Sequence, residues 1–197
     1  MTDMLTVEAA RTAVLERIHA LGDEQVPLAD ALDRHLANDV AAIADNPPHD
    51  NSAMDGYAVR FADTATASGS TPIRLQVIED IPAGTVPQRK VSTGQASRIM
   101  TGAPVPEGAD TVIRVEDTRS EDDWVEILEP EDGVGENIRG QGDDMKSGEV
   151  LLRAGDLVGP GEIGVLATAQ HANLTVTRRP TIAILSSGDE LVEVGEP

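Results

Sequence analysis

The apolar residues Val7, Ala10, Val14, Leu15, Ile18 and Leu21 recur at the spacing of one helix face, with Thr6 placed to cap the start and Gly22 to close the end. This predicts one amphipathic helix over Val7–Leu21. Leu28, Leu32 and Leu36 follow Pro27 four apart, which predicts a second, shorter helix. Asn38, Asp39 and the Pro47-Pro48 pair then end helical order. Beyond Asn51 the pattern shortens to β-prone runs at Ile73–Ile78, Ala96–Met100, Thr111–Val115 and Trp124–Leu128, divided by turns rich in Gly and Pro. Val150–Leu152 and Leu157–Val158 read as two brief strands joined through Ala154-Gly155-Asp156, Ile163–Ala169 as a helix, and Leu174–Val176 as a strand. The run Thr181–Ser186 is continuously apolar at its centre and breaks at Gly188, the pattern of a buried parallel strand entering a loop. Such a strand needs neighbours and covering helices. The residues after Leu185 supply neither, so the expectation is a truncated α/β unit.

Composition changes this picture in three ways. The only aromatic residues are Tyr57, Phe61 and Trp124, so the cores must be aliphatic and stacking platforms for bases are nearly absent. With 35 acidic against 15 basic side chains the net charge is -20, which repels phosphate backbones and anionic lipid; neither nucleic acid nor membrane is an expected partner. An acidic enzyme acting on an anionic substrate would need a basic patch or a divalent cation. There is no cysteine, and His19, His35, His49 and His171 stand singly, which removes thiolate chemistry and argues against a transition-metal site. The start carries no leader-like pattern and no run approaches 18 apolar residues, so a cytoplasmic location is expected.

The segment Asp50-Asn51-Ser52-Ala53-Met54-Asp55-Gly56-Tyr57-Ala58-Val59 gathers polar side chains and a glycine in one stretch, compatible with an ordinary capped turn or with a loop that lets backbone approach a ligand. Its ten residues closely resemble the signature of the molybdopterin molybdenumtransferase family, MoeA in bacteria and the gephyrin E region in animals. Three further segments agree in order and approximate spacing. They are Arg98 to Asp110, which contains Thr101-Gly102-Ala103-Pro104; Asn137-Ile138-Arg139 leading to Gly142-Asp143-Asp144; and Ser187-Gly188-Asp189-Glu190-Leu191. The resemblance spans essentially the whole chain.

It implies a dimeric enzyme that hydrolyses adenylated molybdopterin in a step dependent on a divalent cation, Mg²⁺, and on molybdate, releasing AMP as molybdenum is inserted. By position, the catalytic residues would be Asp55, Thr101, Asp144 and Glu190. Ser52, Gly102 and Arg139 would contact the substrate or cofactor. Asp55, Asp144 and Glu190 are hard oxygen donors of the type that holds Mg²⁺ beside a phosphate, and Thr101 could donate its hydroxyl to an oxyanion. Read alone, Thr101 is equally a turn cap, Asp143-Asp144 a solvated acidic turn, and Arg178-Arg179 a solvated strand entry. His49, Asp143, Gln170 and Ser187 depart from the family pattern at non-catalytic positions.

The implied fold is α+β and multidomain. Residues 25–42 and 148–178 would form a small β-rich domain, 43–147 an inserted mixed, mostly β domain, 1–24 the opening helix of a three-layer α/β domain, and 179–197 its first strand. Two other readings stay open: a non-catalytic scaffold or dimerisation fragment of the same family, and an unrelated metal-dependent phosphohydrolase, which would ignore molybdate.

Overall fold

The computed structural model describes residues 4–19, 21–188, 190–192 and 194–195. Ala20, inside the first expected helix, and Asp189, inside the fourth matched segment, lie outside the described residues. In chain order the elements begin with α1 (Val7–Leu15), β1 (Asp23–Pro27), a 3-10 turn (Leu28–Asp30) and β2 (Val40–Ala41). They continue with β3 (Asn51–Ser52), β4 (Gly56–Val59), α2 (Phe61–Thr64), β5 (Ile73–Ile81), β6 (Gln95–Ile99), β7 (Thr111–Arg114), β8 (Thr118–Glu121), β9 (Trp124–Ile127) and β10 (Ile138–Arg139). The last are β11 (Val150–Leu152), α3 (Pro160–Thr168) and β12 (Asn173–Thr177). The chain divides into two compact units, Met1–Val40 with Leu151–Pro197, and Ala41–Val150. No described helix is long and apolar enough to cross a membrane.

In the first unit β1 and β12 form an antiparallel ribbon, Asp23 facing Thr177 and Pro27 facing Asn173. Leu174 and Val176, two apart on one strand face, pack with Ala31, Leu36, Val158 and Leu166 of α3 into a single aliphatic core. Pro160 opens α3 where no amide hydrogen is needed, and the Glu162 carboxylate accepts from the Gly159 N–H at 3.0 Å.

Four expectations fail in this unit, among them the brief strand at Leu157–Val158, where only an isolated bridge joins Leu157 to His35. The helix expected to Leu21 closes at Leu15; its Thr6 cap is present, the hydroxyl accepting from Ala9 N–H at 3.2 Å, but none of its residues is buried. A helix with no packed face is marginal in water, so the periodic stripe alone does not extend it. The helix expected from Leu28 is only the 3-10 turn, because Asp33 sits at φ 59°, in the left-handed region that a right-handed helix cannot contain. The strand expected at Thr181–Ser186 is absent: Ile182, Ile184 and Leu185 are exposed, and no strand among the described residues pairs with it. A strand without a neighbour leaves its amides and carbonyls without the ladder that defines it.

The second unit is built on a six-stranded sheet in the order β7-β4-β6-β5-β9-β8, with β5 and β6 parallel and the other pairs antiparallel. Both faces are covered. Tyr57, Val59, Leu75, Ala96, Ile113, Val125 and Ile127 form one core, while Ala58, Ile81, Ile99, Ala103 and Val112 form the other. Alternation along β4 accounts for the split, Tyr57 and Val59 to one side and Ala58 to the other, so this central strand is buried throughout. Strand β5 changes sides midway: a register shift between Val77 and Glu79 turns Leu75 into one core and Ile81 into the other.

Candidate functional site

The candidate residues of the second unit lie at one end of β4 and β6 and on the short ladder beside them. Gly56 pairs with Ile99 across β4 and β6, so Asp55, just before β4, comes opposite the residues just after β6. The Asp55 carboxylate takes two hydrogen bonds on Oδ1, from the Thr101 N–H and the Thr101 hydroxyl, both at 2.8 Å. The first of these is the main cause that holds Asp55 below the ordinary carboxylate range, the hydroxyl bond the second; Arg98 adds a smaller attraction and burial a small opposition. Asp55 is therefore an oriented carboxylate whose ionised form is favoured. Thr101 spends its one hydroxyl proton on Asp55.

Ser52 and Gly102 join the same cluster through backbone. The Gly102 N–H donates to the Ser52 carbonyl at 2.8 Å, and the Ser52 N–H to the Ala103 carbonyl at 3.0 Å. The Ser52 hydroxyl is buried and donates to the Met54 carbonyl at 2.6 Å, which folds the loop tightly ahead of Asp55. Gly102 has φ 80°, and a Cβ there would meet nothing within 4 Å, so its requirement is conformational rather than one of space. A cavity of about 220 Å³ opens beside Gly102 and Pro104, with His49 and Thr85 in its wall.

The third matched segment is tied to the first by β3 and β10, where Ser52 faces Ile138 and Asn51 faces Arg139. Arg139 Nη2 donates to both oxygens of Asp144, at 2.6 and 2.7 Å, and Asn46 Nδ2 reaches Asp144 Oδ2 at 3.2 Å. Asp144 thus has its own counterion. Two acids outside the expected set hold this region together. Asp50 Oδ1 accepts from the Gln141 N–H at 2.8 Å. Asp45 accepts from the Ser147 N–H and from Gln141 Nε2, and these bonds, the Ser147 one foremost, lower its pKa. A Gly- and Asp-rich turn at 140–144 is the sequence signal that could have pointed to such caps.

Asp55, Thr101, Ser52 and Gly102 are thereby in one cluster, with Arg139 on the adjoining ladder and Asp144 bonded to it. Glu190 belongs to the other unit, exposed in a turn where the Leu191 N–H donates to the Gly188 carbonyl at 3.2 Å. Among the described residues no three His, Asp or Glu side chains converge as a metal cage would require.

Residues 5–169 match the family model described as the MoeA N-terminal region, domains I and II. The molybdopterin molybdenumtransferase of Bacillus subtilis (strain 168) is 42% identical over 177 residues, covering 88% of this chain and 41% of that protein. Its counterpart in Nostoc sp. (strain PCC 7120) is 40% identical over 200 residues, covering 100% of this chain and 46% of its own length. The crystal structure of the molybdopterin biosynthesis MoeA protein from Pyrococcus horikoshii OT3 superposes with a TM-score of 0.78 at 39% identity, covering 84% of this chain and 44% of that one. The chain spans less than half the length of these relatives. With the family model matched over most of its length and the fold shared at this identity, the chain belongs to the MoeA family and corresponds to its N-terminal region.

Proposed function

We propose that this chain is the N-terminal part of a molybdopterin molybdenumtransferase, a homodimer that transfers molybdenum from molybdate onto adenylated molybdopterin with release of AMP. The observation that carries the reading is Asp55, an ionised carboxylate fixed by Thr101 where the first two matched segments meet. In this reading Thr101 aims Asp55 toward the substrate, and Gly102 lets the main chain pass close to it. Ser52 holds the loop rigid, and Arg139 offers positive charge to an anionic group while Asp144 keeps the guanidinium in place.

The donor chemistry fits Mg²⁺. That ion takes one or two protein carboxylates and completes its octahedron with water and substrate phosphate, so it needs no three-carboxylate cage. Asp55 would hold it through Oδ2, which lies outside the Thr101 contacts, with Asp144 of the same unit as the other expected oxygen donor. Bound there, the cation would supply charge neutralisation at the phosphate link.

A chimera in which this chain replaces the matching part of the Bacillus subtilis relative tests the reading, with AMP release from adenylated molybdopterin followed in the presence of Mg²⁺ and molybdate. The expected outcome is turnover by the chimera, and a loss of at least 100-fold on Asp55→Ala with the melting temperature kept. A chimera that folds and turns over equally well with Asp55→Ala would refute the assignment and favour a scaffold role.

A further inference from the structure

The first unit contains a cavity of about 380 Å³ whose walls include Arg34, His35, Thr177, Arg178 and Arg179. Three arginines on one cavity is a marked local excess in a chain with only 15 basic residues against 35 acidic ones. Arg34 is 8% exposed. Its Nη2 donates to the Glu24 carboxylate and, at 2.9 Å, to the Thr177 carbonyl, but its Nε, also buried, has no partner. Arg179 reaches the Leu32 and Asp33 carbonyls only at 3.4 and 3.3 Å, long contacts that a better acceptor would outcompete. His35 is anchored through Nδ1 to the Gly155 carbonyl at 3.0 Å; a carbonyl only accepts, so Nδ1 carries a proton. Among the lining residues Asp33 is the one acid, and Glu24 is paired with Arg34.

We propose that this cavity is a binding site for a phosphate group, held by the guanidinium groups of Arg178 and Arg179 with Arg34 in the wall behind them. Guanidinium suits such an oxyanion because its donors lie in a rigid planar fork and it is more weakly hydrated than an ammonium. The site is independent of the cluster around Asp55 and does not rest on the transferase reading. Its source is either free phosphate or the phosphate of a larger organic anion.

Backbone amide NMR of the 197-residue chain, titrated with inorganic phosphate against a sodium chloride control of equal ionic strength, tests it. Saturable shifts are expected at Arg34, His35, Gly155, Thr177 and Arg179. Arg178→Ala with Arg179→Ala should weaken binding at least tenfold, about 1.4 kcal/mol. Both substituted residues are exposed, so the double variant should keep its fold. A parallel titration with AMP identifies the source, tighter binding than phosphate pointing to an organic phosphate and equal or weaker binding to the free anion. Shifts that do not saturate, that appear equally with chloride, or that persist unchanged in the folded double variant would overturn the proposal.

Discussion

Asp55 and Thr101 are the residues on which the proposed chemistry turns, and their contact has a definite pH signature. Because the hydrogen bonds favour the ionised carboxylate, its folded pKa lies below the unfolded value. The stabilisation is therefore fully present above the unfolded pKa and is lost as pH falls through the folded one. Carboxyl-detected NMR should place the Asp55 midpoint below that of an ordinary aspartate, and Thr101→Val should raise it. Thr101→Ser, which restores the hydroxyl donor, should return it. A midpoint indifferent to Thr101→Val would show that the hydroxyl bond does not form in solution. The pair Arg139 and Asp144 is half exposed, so Arg139→Gln should change stability by about 1 kcal/mol or less in chemical denaturation. Resemblance singled out Asp55, Thr101, Arg139 and Asp144 from the sequence. What it could not reveal is that Thr101 faces Asp55 and Arg139 faces Asp144. A side chain's partner across 46 residues is chosen by strand register, which no local pattern encodes.

Among the elements, β4 is the most constrained. A Cβ at Gly56 would collide with the Ile113 carbonyl of the neighbouring strand, so Gly56→Ala should lower stability by about 1–3 kcal/mol, read from the denaturant midpoint. At the other extreme α1, with no buried residue, should show little amide protection in hydrogen exchange over Val7–Leu15, whereas β4 and β6 should be the slowest to exchange. The β-prone runs that became β5, β6, β7 and β9 were legible because each alternates or masses aliphatic residues toward a core. Strands β1 and β8 were not. Asp23–Pro27 and Thr118–Glu121 are dominated by polar side chains, and they are strands because a neighbour offers a ladder, Thr177 to Asp23 and Trp124 to Glu121. The strand expected at Thr181–Ser186 is the converse case, apolar enough but with no ladder partner among the described residues.

For the molecule as a whole, the charge of -20 sets the response to salt. Self-repulsion among carboxylates is screened as ionic strength rises, so the melting temperature should increase between low salt and about 0.5 M sodium chloride. A melting temperature that falls over that range would show that ion pairs, not repulsion, dominate. Residues 41–150 hold two aliphatic cores of their own, and expressed alone they should give a dispersed amide spectrum and one cooperative unfolding transition. Within that unit the spacing of Asp55 and Thr101 is inherited from main-chain pairing, Gly56 against Ile99, and owes little to which aliphatic side chains fill the cores. Interchange of Val, Ile and Leu in those cores can therefore accumulate over evolutionary time without disturbing the site. A single residue inserted into or deleted from β4 or β6 would shift one partner along the ladder by about 3.3 Å, beyond the reach of a hydrogen bond. Divergence along this stretch should consequently be rich in replacements and nearly devoid of changes in length.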